Sequence, residues 1–399
     1  MKIYLVGGAV RDELLNIPIF DRDWVIVGAK PENLLKIGYQ KVGKDFPVFL
    51  HPDTHEEYAL ARTERKSGSG YTNFICYTTP NITLEEDLLR RDLTINAIAR
   101  SSNGVLIDPY KGIIDLNKRI LRHISHAFIE DPLRVLRVAR FAAKFSYLGF
   151  RISKDTMKLM SYISQSGELT TITAERCWKE TEKALLSQHP QIYFKVLQEC
   201  GALKILFPEI NSNRIHTMMT LTLASKLSSL IEVRFSALCY DIKIGLLPKK
   251  YNKNYYEPDL IYLKLIETFC KKWKIPNLIR DLSILVAKYS HLIYNIHKLQ
   301  PNIIIQLFDK LDVWRKPERL EKIILSSEIN FQILTKFKDN LYLQSKYLRK
   351  AYQIAFSVSI KKIIALGLKG QDIRNELTLQ RQKALIKWKN NNKNNFNKK

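Results

Sequence analysis

Glu130-Asp131-Pro132-Leu133-Arg134-Val135-Leu136-Arg137-Val138-Ala139-Arg140-Phe141 marks the point where the chain changes texture. Pro132 suits the first position of a helix, with Asp131 as its cap. Such a helix puts Val135, Val138, Ala139 and Ala142 on one face and sweeps Arg134, Arg137 and Arg140 along an arc roughly opposite. A generic amphipathic helix mixes Lys and Glu on its wet side. An all-arginine stripe beside a capping aspartate instead offers bidentate donors to a planar, anionic ligand. On this reading Asp131 and Arg134 present acceptors and donors to the edge of a base; an ordinary solvated helix face is the alternative.

Downstream of Asp131 the pattern is helical. Ala174 to Ser187, Gln191 to Glu199, His216 to Leu227, Glu232 to Tyr240 and Ile279 to His291 are helix candidates, and almost nothing reads as a strand. The stretch from Asn390 to Lys399 is Asn and Lys apart from Phe396 and reads as a frayed polar tail. Upstream, the first 125 or so residues alternate short apolar runs (Ile3 to Val6, Trp24 to Val27, Glu57 to Ala61) with helical pieces (Ala9 to Leu15, Pro31 to Ile37) and Gly/Pro punctuation. Arg65 to Gly70 lacks periodicity and reads as a loop. The expected fold is α+β: an N-terminal head with a small mixed β-sheet, followed by an all-helical remainder.

The head carries two further features. Asp21 and Asp23 flank Arg22 just before an apolar run; on a strand, side chains at i and i+2 share a face, so both carboxylates converge. Converging aspartates are hard oxygen ligands suited to Mg2+, although a DxD is also a common solvated turn. Gly7-Gly8 follows the first apolar run and precedes Arg11, a setting in which backbone and arginine can approach phosphate, or simply a turn. Neither GxxxxGK[ST] nor GxGxxG occurs. Arg90-Arg91-Asp92 is either a charged helix end or an arginine fork for a triphosphate. Asp108-Pro109 and Gly112 to Asp115 read as a structural turn.

Composition bounds the partner. The 399 residues carry 64 Lys and Arg against 39 Asp and Glu, a formal charge of +25, which draws polyanions; a general Lys, Asn and Ile bias raises charge as well. Five scattered cysteines (Cys76, Cys177, Cys200, Cys239, Cys270) contain no CxxC, which argues against a disulfide framework or a zinc-thiolate site and for a reducing compartment. The start, MKIYLVGGAVRDE, is broken by glycines and charges and reads as neither signal peptide nor membrane span. A cytoplasmic protein with no membrane partner is expected.

LVGGAVRD, DRDWVIVG, YALARTERKSGSGY, RRDLTINA, DPYKG and EDPLRVLRVARF, in this order, resemble the class II CCA-adding enzymes, the bacterial tRNA nucleotidyltransferases of the polymerase-beta-type superfamily. The resemblance implies a catalytic head (1–125), a neck with a nucleotide-recognition helix (126–205), a body (206–300) and a tRNA-binding tail (301–399). It implies Asp21 and Asp23 as catalytic metal ligands and Gly8, Arg11, Arg91, Arg137 and Arg140 as nucleotide contacts. Asp131 and Arg134 resemble the amino-acid template for the incoming base, and Arg65 to Tyr71 the flexible element used in changing from CTP to ATP. Glu57 is a candidate for a third acidic position. The implied reaction is Mg2+-dependent addition of C, C and A from CTP and ATP to the 3' end of tRNA, including repair of damaged ends. The implied enzyme has no obligate protein partner, as a monomer or weak homodimer. An A-adding or C-adding enzyme or a bacterial poly(A) polymerase shares the GG and DxD signatures, and a catalytically inactive RNA-binding module is the alternative of another class.

Relatives with similar heads often carry a His-Asp phosphohydrolase in the body. Here His216 and Asp241 fit two ligand positions, but Tyr240 stands where the histidine of the His-Asp pair belongs, and Lys288-Tyr289-Ser290-His291 departs from the pattern. A phenol with a pKa of about 10 is a poor substitute for imidazole on a transition metal. Loss of the phosphohydrolase is expected.

Overall fold

The structure, a computed structural model, describes residues 1–42, 48–66, 74–210, 215–246, 260–334 and 342–392; within these, the side chains of 64–66, 74–76, 215–216, 241–246, 260–261 and 334 fall outside the description. The chain divides into two compact units, Met1–Pro208 and Glu209–Lys399.

The first unit is built on strands β1 (Lys2–Val6), β2 (Asp23–Val27), β3 (Gln40–Val42), β4 (Val48–Leu50), β5 (Glu57–Leu60), β6 (Thr63–Lys66), β7 (Phe74–Tyr77), β8 (Ala99–Ser101) and β9 (Leu106–Ile107). A seven-stranded sheet runs in the order β3-β4-β5-β2-β1-β8-β9, and β6 pairs with β7 separately. The sheet is mixed because β2 pairs antiparallel with β1 and parallel with β5. The three apolar runs of the sequence are its centre. Alternation along them builds a core on each face. Leu5 packs with Ala9 and Val10 of helix α1 (Gly8–Leu14), and Ile26 and Leu60 pack with Leu34 of α2 (Pro31–Lys36). On the other face Val6 and Val25 pack with Leu84 and Leu88 of α3 (Leu84–Leu89). Helix α3 starts on a capping box between Thr83 and Glu86.

The Asp108 turn is structural, as read. Its carboxylate accepts from the amides of Gly112 (2.7 Å) and Ile113 (2.9 Å) and so opens α4 (Gly112–Asn117). A Cβ on Gly112 would lie 2.2 Å from the Thr94 carbonyl oxygen, so only glycine fits there.

Beyond residue 125 the first unit is helical: α5 (Leu133–Phe145), α6 (Lys154–Gln165), α7 (Ala174–Leu185), α8 (Gln191–Glu199) and α9 (Ala202–Leu206). One extended piece intervenes, Arg151–Ile152, which pairs parallel with Ile120–Leu121 after Gly149 turns the chain at positive φ. The apolar positions Val135, Val138, Ala139 and Ala142 of α5 are all buried. Helix α5 begins one residue later than expected. Pro132 is its cap residue, and Asp131 reaches forward so that its Oδ1 accepts from the Leu133 amide at 3.1 Å.

The second unit is helical throughout its described residues, from α10 (Ile215–Leu227) and α11 (Ile231–Leu246) through α12 (Leu260–Lys272), α13 (Asn277–Tyr294), α14 (Pro301–Leu311), α15 (Glu318–Leu334), α16 (Leu343–Phe356) and α17 (Ile360–Ile364) to α18 (Gln371–Asn391). Val233, Val286, Ile324, Leu348 and Leu385 belong to one core there. Arg65 and Lys66, expected in a loop, end strand β6 because they pair with Ile75 and Phe74; residues 67–71 of the expected loop, the side chains of His216 and Asp241, and residues 393–399 of the expected tail lie outside the description. Among the described residues no helix is long and apolar enough to cross a membrane.

Candidate active site

Strand β2 begins at Asp23, opposite Val6 at the end of β1 and opposite Glu57 at the start of β5. Asp21 precedes the strand, so the i, i+2 rule does not by itself bring the two aspartates together; their shared cavity does. That cavity, about 610 Å³, is lined by both aspartates, Gly7, Gly8, Glu57, Arg90 and Arg91 just beyond α3, and the basic residues of α5. Burial, and then Asp21, raise the pKa of the Asp23 carboxyl, while Arg91 pulls it down. Both carboxylates are open to solvent at the mouth of the cavity, and a cation between them would relieve the repulsion that Asp21 exerts on Asp23. Glu57 lies opposite Asp23 and lines the same cavity, while among the described residues no group of three or more His, Cys, Asp or Glu side chains is arranged to hold a metal ion. Two carboxylates fit Mg2+, which keeps waters and takes substrate phosphate oxygens for its other positions.

Gly7 caps α1 at φ 69°, and a Cβ there would sit 2.7 Å from Nη1 of Arg91. The first glycine of the pair is thus the one its backbone and neighbour require, while Gly8 opens the helix and lines the cavity. Arg91 follows the end of α3 and donates from Nη2 to Asp87 at 3.3 Å; its buried Nε has no hydrogen-bond partner among the described residues. An orphaned guanidinium donor lining the same cavity as two carboxylates is a suitable partner for a phosphate oxygen.

The remaining arginines are held by a connected polar network. Arg11 donates to Asp12 and to Asn96 Oδ1, and Asn96 Nδ2 donates to Asp92 at 2.8 Å. Arg137 Nε donates to the other Asp92 oxygen at 2.7 Å, and Arg140 Nε donates to Glu180 of α7. Burial works to raise the Asp92 pKa, but Arg137, Asn96 and Arg134 outweigh it and hold the carboxyl well below the usual range. The Phe141 ring lies beneath the guanidinium of Arg140 (4.0 Å) and near those of Arg11 (5.1 Å) and Arg137 (5.8 Å). Arg137 and Arg140 commit Nε to carboxylates. The Nη1 of Arg137 also lies 3.8 Å from Glu180, so Arg137 is braced by two carboxylates, while the Nη groups of Arg140 make no hydrogen bond among the described residues and offer the forked end to an anion. Ten basic side chains line the cavity against six acidic ones, a surplus suited to a triphosphate.

Arg134 departs from the expected wet stripe. It is 9% exposed, and it donates to the carbonyls of Ala127 (2.8 Å) and Arg90 (2.5 Å), which drew it inward from the arc. Asp131 Oδ2 accepts from Arg176 of α7 at 2.8 Å. A carboxylate has about four acceptor sites, so Asp131, which accepts from the Leu133 amide and from Arg176, keeps capacity for a base edge.

Residues 3–122 match the model of the poly A polymerase head domain, and residues 149–213 that of the probable RNA and SrmB-binding site of polymerase A. The chain carries a poly A polymerase head. It is therefore a nucleotidyltransferase, and its fold is shared with solved CCA-adding enzymes. The enzyme from Thermotoga maritima, complexed with tRNA, is 21% identical with a TM-score of 0.64, covering 96% of this chain and 86% of that one. The enzyme from Bacillus stearothermophilus, in complex with CTP, is 24% identical with a TM-score of 0.65, covering 95% and 87%. A CCA-adding enzyme with ATP is 22% identical with a TM-score of 0.66, covering 96% and 86%.

Within the first unit, the roles of the residues that position the arginines were not legible in the sequence: Asp12, Asp87, Asp92, Asn96, Arg176 and Glu180. Asp87 carried a signal, since it lies four residues before Arg91 on a helix, the spacing at which side chains meet. Glu180 carried none, being 40 residues from its partner.

Proposed function

We propose that the chain adds C, C and A to the 3' end of tRNA from CTP and ATP, releasing pyrophosphate at each step, and that it rebuilds damaged CCA ends. The observation that carries this is one cavity lined by a carboxylate pair, an arginine cluster and the Asp131–Arg134 pair. Such a site offers protein side chains where a templated polymerase would offer a base. Arg91, Arg137 and Arg140 bind the triphosphate, and Arg11, buried against Phe141 and Phe145, stiffens the wall behind Gly8. Asp21 and Asp23 would hold Mg2+, which when bound neutralises charge growing on the transferred phosphate and favours ionisation of the attacking hydroxyl. The tRNA 3' oxygen forms its bond to the alpha phosphorus as the bond to pyrophosphate breaks, and the arginines take up the leaving group's charge. Incubating tRNA that lacks CCA with CTP, ATP and Mg2+, then sequencing the product end, tests the reading. Addition of A alone, C alone or an A-tract would replace it with a narrower enzyme or a poly(A) polymerase, and no addition with intact RNA binding would leave a binding module.

Arg134→Ala is expected to erode the preference for CTP and ATP over UTP and GTP by about 1–3 kcal/mol, the worth of a good directional pair on a base edge. Because Arg134 also braces two carbonyls, rate falls too, and the selectivity ratio under four-way competition is the informative quantity. An unchanged ratio would leave Arg134 a structural brace only.

The body is proposed to have no metal-dependent phosphohydrolase activity. Tyr240 is buried in α11, where a phenol cannot stand in for a neutral imidazole ligand. The expected result is no turnover of a 2',3'-cyclic nucleotide or a phosphomonoester with Ni2+, Co2+, Mn2+ or Mg2+. Robust turnover that vanishes in His216→Ala and Asp241→Ala would overturn it.

A further inference from the structure

Phe20 is 88% exposed, the most exposed large apolar side chain among the described residues, yet it is the residue immediately before Asp21 and lines the same cavity. The segment that carries it is anchored on both sides. The Ile17 amide donates to the Asp12 carbonyl at 2.8 Å, and Ile19 packs against the core of Leu5, Ala9 and Val10. Two residues beyond Asp21 the strand starts, and Trp24 is fixed by a 2.9 Å bond to Glu56 and by stacking on Tyr58. Phe20 is therefore projected by ordered neighbours. Isolated surface phenyl groups need no explanation in general. This one borders the point where the reacting hydroxyl has to lie.

We propose that Phe20 is a stacking platform for the terminal base of the RNA strand being extended. The inference rests on the function proposed above and adds a residue to it. The incoming nucleotide occupies the end of the cavity lined by Asp131, Arg134 and Arg137, so the strand that brings the 3' hydroxyl to Asp21 and Asp23 approaches from their own side. Phe20 and Asp21 are consecutive, with Cα atoms about 3.8 Å apart, and line the same cavity, which places the Phe20 ring within one nucleotide's reach of that hydroxyl. Stacking suits this task because the terminal base changes as addition proceeds, and an aromatic face accepts any base while a hydrogen-bonding group does not.

Phe20→Ala is expected to raise the KM for tRNA about tenfold, as loss of one base–aromatic stack should, with the KM for CTP unchanged. Phe20→Trp should restore it, and Phe20→Leu, apolar but not planar, should behave as the alanine variant. A tRNA ending in 2-aminopurine reports stacking without turnover: its fluorescence should be quenched by the unaltered chain and by Phe20→Trp, and not by the other two. Equal quenching by all four proteins, full rescue by leucine, or a rise in the CTP KM in place of the tRNA KM would each overturn the proposal. Quenching that follows the aromatic residue in a chain that adds no nucleotide would uphold the platform and refute the proposed activity. Addition with no aromatic-dependent quenching would do the reverse.

Discussion

Asp23→Asn and Asp21→Asn are each expected to lower kcat for nucleotide addition by about a thousandfold or more, with tRNA binding retained. A metal-bound phosphoryl oxygen is worth several kcal/mol in the transition state, and about 1.4 kcal/mol is a factor of ten. Asparagine is nearly isosteric but brings no charge to a position where the neighbouring carboxylate already favours a cation. RNA is held by many separate basic contacts and should not notice the change. Single-turnover CTP incorporation, run beside a filter-binding measurement, separates the two effects. Near-normal incorporation by both variants would remove the pair from the chemistry, and loss of RNA binding in step with activity would point to misfolding instead.

The second large effect concerns the buried ion pair behind the arginines. Arg137→Ala leaves Asp92, 5% exposed, without its main partner. Breaking a pair of this kind strands a buried charge, and since the Arg137 side chain is itself 35% exposed the expected loss is about 2–3 kcal/mol at pH 7. The direction with pH follows from Asp92, whose folded pKa is depressed. Its stabilisation is fully present above the unfolded value of about 3.9 and is lost as pH falls toward the folded one. The difference between the variant and the parent chain should thus be full at pH 7 and should shrink below about pH 4. Adding Asp92→Asn to Arg137→Ala should recover part of the loss, because the stranded charge is gone. Urea denaturation of the parent and both variants at pH 7 and pH 3.5 measures this. A gap that is the same at both pH values, with no recovery in the double variant, would show that Asp92 is not charged by virtue of Arg137.

Much of the architecture is written in local patterns. The runs Ile3 to Val6, Trp24 to Val27 and Glu57 to Ala61 became the central strands because side-chain alternation over four or five residues is enough to specify two buried faces. The helices from Asp131 onward were legible for the same reason at a different period, and the turn at Asp108 through its Asp and Gly. Strands such as Gln40–Val42 and Leu106–Ile107 were not, since two or three residues hold no period and exist only because a neighbouring strand supplies their hydrogen bonds.

For the site, the sequence alone determined which chemical groups are present and their order: Asp21 and Asp23, Gly7-Gly8, Arg91 and the arginines of α5. Tertiary structure decided what each can do. Asp92 and Glu180 meet Arg137 and Arg140 only after chain segments about 40 residues apart have packed, and that pairing commits Nε and leaves the forked end of Arg140 for a ligand. Arg134, indistinguishable from its two neighbours along the helix, is instead drawn inward by the carbonyls of Ala127 and Arg90. Nor does local spacing bring Asp21 beside Asp23, because the strand starts two residues after Asp21; the shared cavity does. Periodicity reports which face of an element is buried, because burial repeats with the backbone. A hydrogen bond between distant side chains repeats with nothing, so it becomes visible only when the fold brings its two ends together.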